Sequence, residues 1–311
     1  MASSFDYDFV KDATPAGYEF PSHRLKRTCD PNRQPLILVA CGSFSPITFL
    51  HLRMFPMGRD HAWNEGTYLL HSGSCAHPSS GPPTSQLPTI LTDVDAGFEV
   101  VGGYLSCSSY RKKGLAPAYH RIQMCEIAAK NASSWLMFDP WEAQRPVFTP
   151  TARVLDHFDY EINHVMGGIE CTDGTRKRAK IVLLAGADLI QTLSTPGVWD
   201  ARDVDHILSH YGTFVLERNG TELDSAIANL KQWEHNIHVV RQVVSNDVSS
   251  TKVRLLIKRD MSIDYLIPDA VIDYIYENNL YKVDFDLPPL PEPKGKERAT
   301  SNGATSGPSD G

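Results

Sequence analysis

Residues 35–60, PLILVACGSFSPITFLHLRMFPMGRD, decide how the chain is read. The run 35–41 is almost wholly apolar and short, as expected of a strand covered on both faces. Gly42 follows at once, where a missing Cβ lets backbone approach a ligand or take positive φ. Pro46 sets the chain entering a helix, and Thr48 and His51, three apart, share a face of its first turn. First-turn amides and the helix dipole favour a phosphate at such a point. An ordinary strand–helix turn with a capping Thr and a surface His fits these residues equally well.

Outward from this stretch the same alternation continues. FEVVGGYL (98–105), SWLMFD (134–139), KIVLLAGA (180–187), TFVLER (213–218) and NIHVVRQVV (236–244) are further runs of the buried-strand type. Between them lie helical patterns: AYHRIQMCEIAAKN (118–131), TARVLDHFDYEIN with Val154, Leu155, Phe158 and Ile162 at helical spacing, and PDAVIDYIYENN with Pro268 at its start. Strand–helix alternation predicts an α/β fold with a doubly wound, Rossmann-like parallel sheet. Ligands of such sheets sit at the carboxyl ends of the strands, so the residues just after each strand matter most.

Composition narrows the class. Of 311 residues, 41% are hydrophobic and 22% charged, ordinary for a globular protein with a real core. A net charge of −7 argues against a non-specific nucleic-acid coat, which needs many cations on phosphates, but a small anionic substrate needs only a few. Six cysteines without a C-x-x-C pair suit neither a zinc site nor a disulfide framework, so reduced thiols in nucleus or cytoplasm are expected. The acidic start is no secretory signal, and no apolar run approaches the ~18 residues of a membrane span.

Residues 1–34 read as a flexible amino-terminal arm, 35–284 as the catalytic-type domain, and 285–311 as a disordered tail too poor in apolar groups to order. Residues 61–97, rich in Gly, Pro and Ser, show no period and read as an insertion, native or carried in by an unspliced intron.

A second informative stretch is 246-NDVSSTKVRLLIKRD-260. Ser249, Ser250 and Thr251 offer hydroxyls and helix caps, and Lys252 and Arg254 bring cations to the same turn. By itself S-S-T-K is also what a capped surface helix looks like. His206 and His210 lack the Glu of a metalloprotease motif, and the basic run 175-TRKRAK-180 reads either as a nuclear address or as a solvated loop. Neither a P-loop nor a G-x-G-x-x-G fingerprint is present.

Taken together, the turn after the first strand and the late S-S-T-x-x-R helix resemble the paired signatures of the nucleotidyltransferase superfamily. GSFSPITFLHLRMF, YRKKGLAPAYHRIQMCEIA, LLAGADLIQTL, GVWDARDV and NDVSSTKVR resemble the eukaryotic, fungal-like nicotinamide/nicotinic acid mononucleotide adenylyltransferases, over roughly Leu36 to Tyr281 outside 61–97. The resemblance implies direct in-line transfer of AMP from ATP to nicotinamide or nicotinic acid mononucleotide, giving NAD⁺ or deamido-NAD⁺ and pyrophosphate. Mg²⁺ would be carried by the ATP phosphates, with no dedicated carboxylate cage. Nucleic acid and membrane are not expected partners, and a homo-oligomer is compatible with the family.

By the same resemblance, Gly42, Ser43 and Phe44 would line the dinucleotide site. His51, aided by Thr48, would donate to the α-phosphate, a role in which a phosphate neighbour favours the doubly protonated ring. Lys112 would bridge the two substrates' phosphates. Ser250, Thr251 and Arg254 would hold the β- and γ-phosphates and the departing pyrophosphate, with Asn246 and Lys252 also binding ATP. Phe148, with Thr151 nearby, and Trp199 would form the slot for the pyridine ring, with Trp141 as a wall of the pocket, and Tyr110 and Val198 would join them in binding the mononucleotide. Gly186 and Asp188 would meet the ribose. Three features depart from the family pattern: Pro56 and Gly58 inside the first helix, the stretch 61–97, and a loop at Cys107–Ser109 shorter than the relatives' S-P-V-x-D-x-Y. Pro56 removes the donor to Leu52, an effect of roughly 3 kcal/mol in a helix interior. If these departures disturb Lys112, a non-catalytic nucleotide-binding or chaperone-like protein is the alternative. A sibling nucleotidyltransferase with another acceptor is the other.

Overall fold

A computed structural model of the chain describes residues 9–11, 14–71, 97–217 and 223–285. The strands are β1 (Thr28–Cys29), β2 (Gln34–Gly42), β3 (Phe98–Cys107), β4 (Leu136–Asp139), β5 (Ile169–Cys171), β6 (Arg176–Lys177), β7 (Lys180–Gly186), β8 (Thr213–Leu216) and β9 (Ile237–Val240). The helices are α1 (Phe49–His71), α2 (Ala118–Ala132), α3 (Trp141–Gln144), α4 (Thr151–Asp159), α5 (Ala187–Leu193), α6 (Ala201–His206), α7 (Leu223–Asn229), α8 (Ser250–Lys258) and α9 (Asp269–Glu277).

Six strands form one sheet in the order β4-β3-β2-β7-β8-β9, every neighbouring pair parallel. This is the expected Rossmann-like, doubly wound α/β sheet, and its order reverses between β2 and β7. The strands are apolar on both faces because both faces are covered. Leu36, Leu38 and Ala40 enter one core with α1, α2 and α9, while Ile37 and Val39 enter the other with α4 and α5.

Three features stand out against the sequence pattern. Helix α1 carries Pro56 in its interior and runs on to His71. Tertiary packing outweighs the lost hydrogen bond, since Phe55 and Ala62 are buried at 0% and 1% exposure. Gly58 marks a close approach, because a Cβ there would lie 3.1 Å from Leu184 Cδ1 and 3.3 Å from Leu38 Cδ1. Second, residues 61–71 continue α1, although the sequence there shows no helical period; 72–96 lie outside the described residues.

Third, the segment 14–34 is no loose arm. Leu25 and Cys29 are buried, and Tyr18 donates to Asp139 Oδ1 at 3.0 Å beneath the sheet's carboxyl end. β1 pairs with β5 in a small second sheet closed by β6, too short to show as a periodic run. The expected tail beyond 285 lies outside the described residues.

The basic run 175–180 is spent on tertiary contacts. Arg176 donates to the carbonyls of Met166, Gly167 and Gly168, Lys177 to those of Pro31 and Arg33, and Arg178 makes two 3.0 Å bonds to Asp159. Among the described residues no helix is long and apolar enough to cross a membrane.

Candidate active site

The site is built where β2 ends. Gly42 leaves room for the ring of Phe44, which an added Cβ would meet at 3.2 Å. The left-handed backbone falls on Phe44 itself, at φ 43°, an uncommon conformation for an aromatic residue and a mark of functional sites. The Phe44 ring is buried and meets His51 edge-on, centroids 5.2 Å apart.

Thr48, fully buried, both caps α1 and orients the imidazole. Its backbone N–H donates to His51 Nδ1 at 3.0 Å, and its hydroxyl lies 2.9 Å from the same nitrogen. A backbone N–H can only donate, so Nδ1 is an acceptor and the ring hydrogen sits on Nε2. That geometry suits the neutral ring with a single donor.

Helix α8 closes the other side. Ser249 caps it, accepting from Lys252 N at 3.3 Å. Ser250 Oγ donates to Pro46 O at 2.7 Å, and Arg254 Nη1 donates to Ser45 O at 2.7 Å, with Nη2 3.3 Å from Thr251 Oγ1. The two signature segments, over 200 residues apart in sequence, are thereby locked into one concave turn. Burial lowers the Arg254 guanidinium's pKa, opposed by Tyr281 and Asp284. Ser45 Oγ is itself held by Tyr281 OH at 2.9 Å and by the Ala116 amide at 2.9 Å. Lys252 is paired with Asp247, and Asn246 Oδ1 turns back onto Val248 N at 2.9 Å, so both stand at the rim.

The remaining candidates lie at neighbouring strand ends. Lys112 is exposed in the loop after β3. Tyr110 and Phe148, 46% and 42% exposed, meet edge-on at 6.3 Å and 68°. Ser109 Oγ bonds Val147 O at 3.3 Å and ties their two loops together. Gly186 caps α5 with nothing within 4 Å of a would-be Cβ, and Asp188 is exposed in the helix's first turn. Trp199 Nε1 donates to Thr192 Oγ1 at 3.1 Å beside exposed Val198, and Thr151 opens α4.

Trp141 is wholly buried, stacked on His157 at 4.2 Å and 5°, so it is a wall rather than an open stacking face. His157 Nε2 lies 2.9 Å from Asp139 Oδ2.

Two groups at this edge were not singled out by sequence reasoning. Glu142, 4% exposed, has its carboxyl pushed up to about 8 by burial, although Ser106 donates to it at 2.7 Å. Arg121, 1% exposed, lies under the turn. Its signal was present: it sits three and four residues before Met124 and Cys125 on the buried stripe of α2. A cleft of ≈ 570 Å³ exists at the opposite, amino-terminal edge of the sheet, lined by Gln34, Lys177, Arg178 and Lys180. Ligands of this architecture bind at the carboxyl edge, and two of those cations are already engaged by Asp159 and Pro31, which leaves the β2 turn as the candidate site.

Comparison with known proteins agrees with the geometry. The cytidylyltransferase-like family model matches residues 91–256. The chain is 47% identical over 270 residues to nicotinamide/nicotinic acid mononucleotide adenylyltransferase 1 of Saccharomyces cerevisiae, covering 85% of this chain and 60% of that protein. It is 46% identical to nicotinamide/nicotinic acid mononucleotide adenylyltransferase of Schizosaccharomyces pombe, covering 85% and 66%. Against the protein of that name from Oryza sativa subsp. japonica the identity is 34%, covering 85% and 95%. The chain thus spans less than two-thirds of the length of these two yeast relatives.

Proposed function

The chain belongs to the nicotinamide/nicotinic acid mononucleotide adenylyltransferases, within the nucleotidyltransferase superfamily, and from that premise we propose that it moves the adenylyl group of ATP onto nicotinamide or nicotinic acid mononucleotide. The products are NAD⁺ or deamido-NAD⁺ and pyrophosphate. The observation that carries this reading is the junction of the two motifs, with Ser250 on Pro46 and Arg254 on Ser45, around an imidazole whose Nε2–H is directed by Thr48.

Such a reaction asks for alignment and charge stabilisation and not for a nucleophilic side chain. A phosphate oxygen of the mononucleotide attacks the α-phosphorus, and the bond to the pyrophosphate oxygen breaks on the opposite side. His51 Nε2–H donates to a non-bridging α-phosphate oxygen as negative charge builds there. The amides following Gly42 and those opening α8 cradle the phosphates. Ser250's hydroxyl proton is committed to Pro46, so its contribution is that of a strut, while Thr251 and Arg254 meet the departing pyrophosphate. Lys112 spans the two substrates' phosphates. Tyr110 and Phe148 take the pyridine ring, with Thr151, Val198 and Trp199 flanking it. Gly186 and Asp188 receive the ribose hydroxyls. Magnesium would enter as part of the MgATP substrate, carried by its phosphates.

The test is purified protein with MgATP and nicotinamide mononucleotide, NAD⁺ being read by a coupled dehydrogenase, and a parallel reaction with nicotinic acid mononucleotide read by chromatography. Product in either arm supports the reading. Silence in both, with ATP binding intact, overturns it.

A further inference from the structure

Where the ladder between β2 and β3 ends, at Gly42 opposite Cys107, the chain still runs through the interior. The carbonyls beyond that point have no strand to accept from, and unpaired buried carbonyls are costly. One side chain meets them. Arg121 Nη1 donates to Ser43 O at 2.9 Å and Ser108 O at 2.7 Å, Nη2 to Tyr110 O at 3.0 Å, and Nε to Ala116 O at 2.9 Å. Nη1 also lies 3.0 Å from Cys107 Sγ.

The planar fork thus fastens the phosphate turn after β2 to the loop 108–116 after β3, which carries Tyr110 and Lys112. That loop is also the one shorter than the family pattern. We propose that Arg121 is the positioning residue of the reaction: it sets where Lys112 and the Tyr110 ring stand relative to the Ser43 turn. The proposal rests on the adenylyl-transfer reading above.

Among the described residues, Arg121's hydrogen-bond partners are carbonyls and one thiol, not carboxylates. A point-charge ammonium cannot reproduce this, because Lys lacks the rigid fork that reaches four carbonyls at once. Burial pushes the Cys107 thiol up, but a hydrogen bond from Cys125 and the nearby guanidinium outweigh it and hold the thiol below its ordinary value. The Arg121 charge is therefore felt locally.

The experiment compares wild type, Arg121→Lys, Arg121→Gln, Lys112→Ala and the double variant Arg121→Lys/Lys112→Ala. The readouts are kcat, the KM of each substrate and thermal melting. Small displacements of a positioned group cost up to ~10²-fold, so Arg121→Lys is expected to lose at least about 10-fold in kcat and to raise the mononucleotide KM. Arg121→Gln should lose more, both variants melting cooperatively above the assay temperature. Groups acting as one unit are non-additive, so Lys112→Ala should cost less than about 3-fold further in the Arg121→Lys background. Wild-type kinetics in Arg121→Lys, or full additivity with Lys112→Ala, overturns the proposal. So does melting below assay temperature, which makes Arg121 a support of the whole fold. An inactive wild type instead sinks the parent reading, so the two failures are distinct.

Discussion

Replacing His51 by Ala and by Asn separates the chemistry of this ring from its place in the fold. Nδ1 of His and Oδ1 of Asn are both bonded to Cγ, so in His51→Asn the side-chain oxygen would present an acceptor to the Thr48 amide, now 3.0 Å from Nδ1. The new amide nitrogen falls one bond short of the position of Nε2. Loss of a transition-state donor of this kind costs about 10²- to 10³-fold in kcat, roughly 3–4 kcal/mol. The lost contact to Thr48 in the Ala variant is worth only about 1 kcal/mol of stability, or ~1–2 °C in melting temperature for a chain of this size. His51→Asn should therefore melt close to wild type yet be slowed nearly as much as His51→Ala. Steady-state NAD⁺ formation with MgATP saturating, beside calorimetric melting, reads both numbers. Wild-type turnover in His51→Asn would refute the reasoning, because the outer ring nitrogen would then do no work on the phosphate.

Further outcomes follow from other contacts. Glu142 is held protonated up to about 8 against an ordinary 4.5, chiefly by burial. The folded state thus binds the extra proton between those values, and stability falls as pH rises across them. Glu142→Gln should flatten that slope by on the order of a few kcal/mol, seen as a gain in melting temperature at pH 9 that is absent at pH 5. Gly168 has φ 80°, and a Cβ there would collide with the Lys177 carbonyl oxygen, so Gly168→Ala should lower the urea midpoint by more than ~2 kcal/mol equivalent. An unchanged midpoint would show that the β5–β6 hairpin yields freely. Tyr110→Ala or Phe148→Ala should raise the mononucleotide KM by about 5- to 30-fold, the size of one stacking and cation–π contact, and leave the ATP KM alone. Equal effects on both substrates would remove these rings from the pyridine slot.

Much of this was legible in the sequence because the physical signals were local. Runs such as PLILVAC and KIVLLAG are apolar on both faces, and only a doubly covered sheet uses them that way. Gly42, Thr48, His51 and S-S-T-K-V-R are bunched within single turns, so their common purpose shows at short range. What stayed hidden depended on distance. Pro56 and Gly58 read as a helix break, because the compensating contacts with Leu38 and Leu184 come from other strands. The packed segment around Tyr18 looked like a polar arm, because its anchor Asp139 lies 121 residues away. Arg121 looked like one more helix arginine, since its five acceptors are divided between the turn after β2 and the stretch 107–116.

The strut from Ser250 to Pro46 and the clamp from Arg254 to Ser45 also fix an order of events during synthesis. These contacts span 204 and 209 positions, and every strand of the main sheet precedes α8 in the chain, the last ending at Val240. Synthesis up to Val240 therefore supplies all six strands and the His51 turn, but not the helix that closes the turn's other side. Until α8 and α9 are made, the core on the Leu36, Leu38 and Ala40 face of β2 also lacks part of its cover, so one last segment completes both that core and the second half of the candidate site.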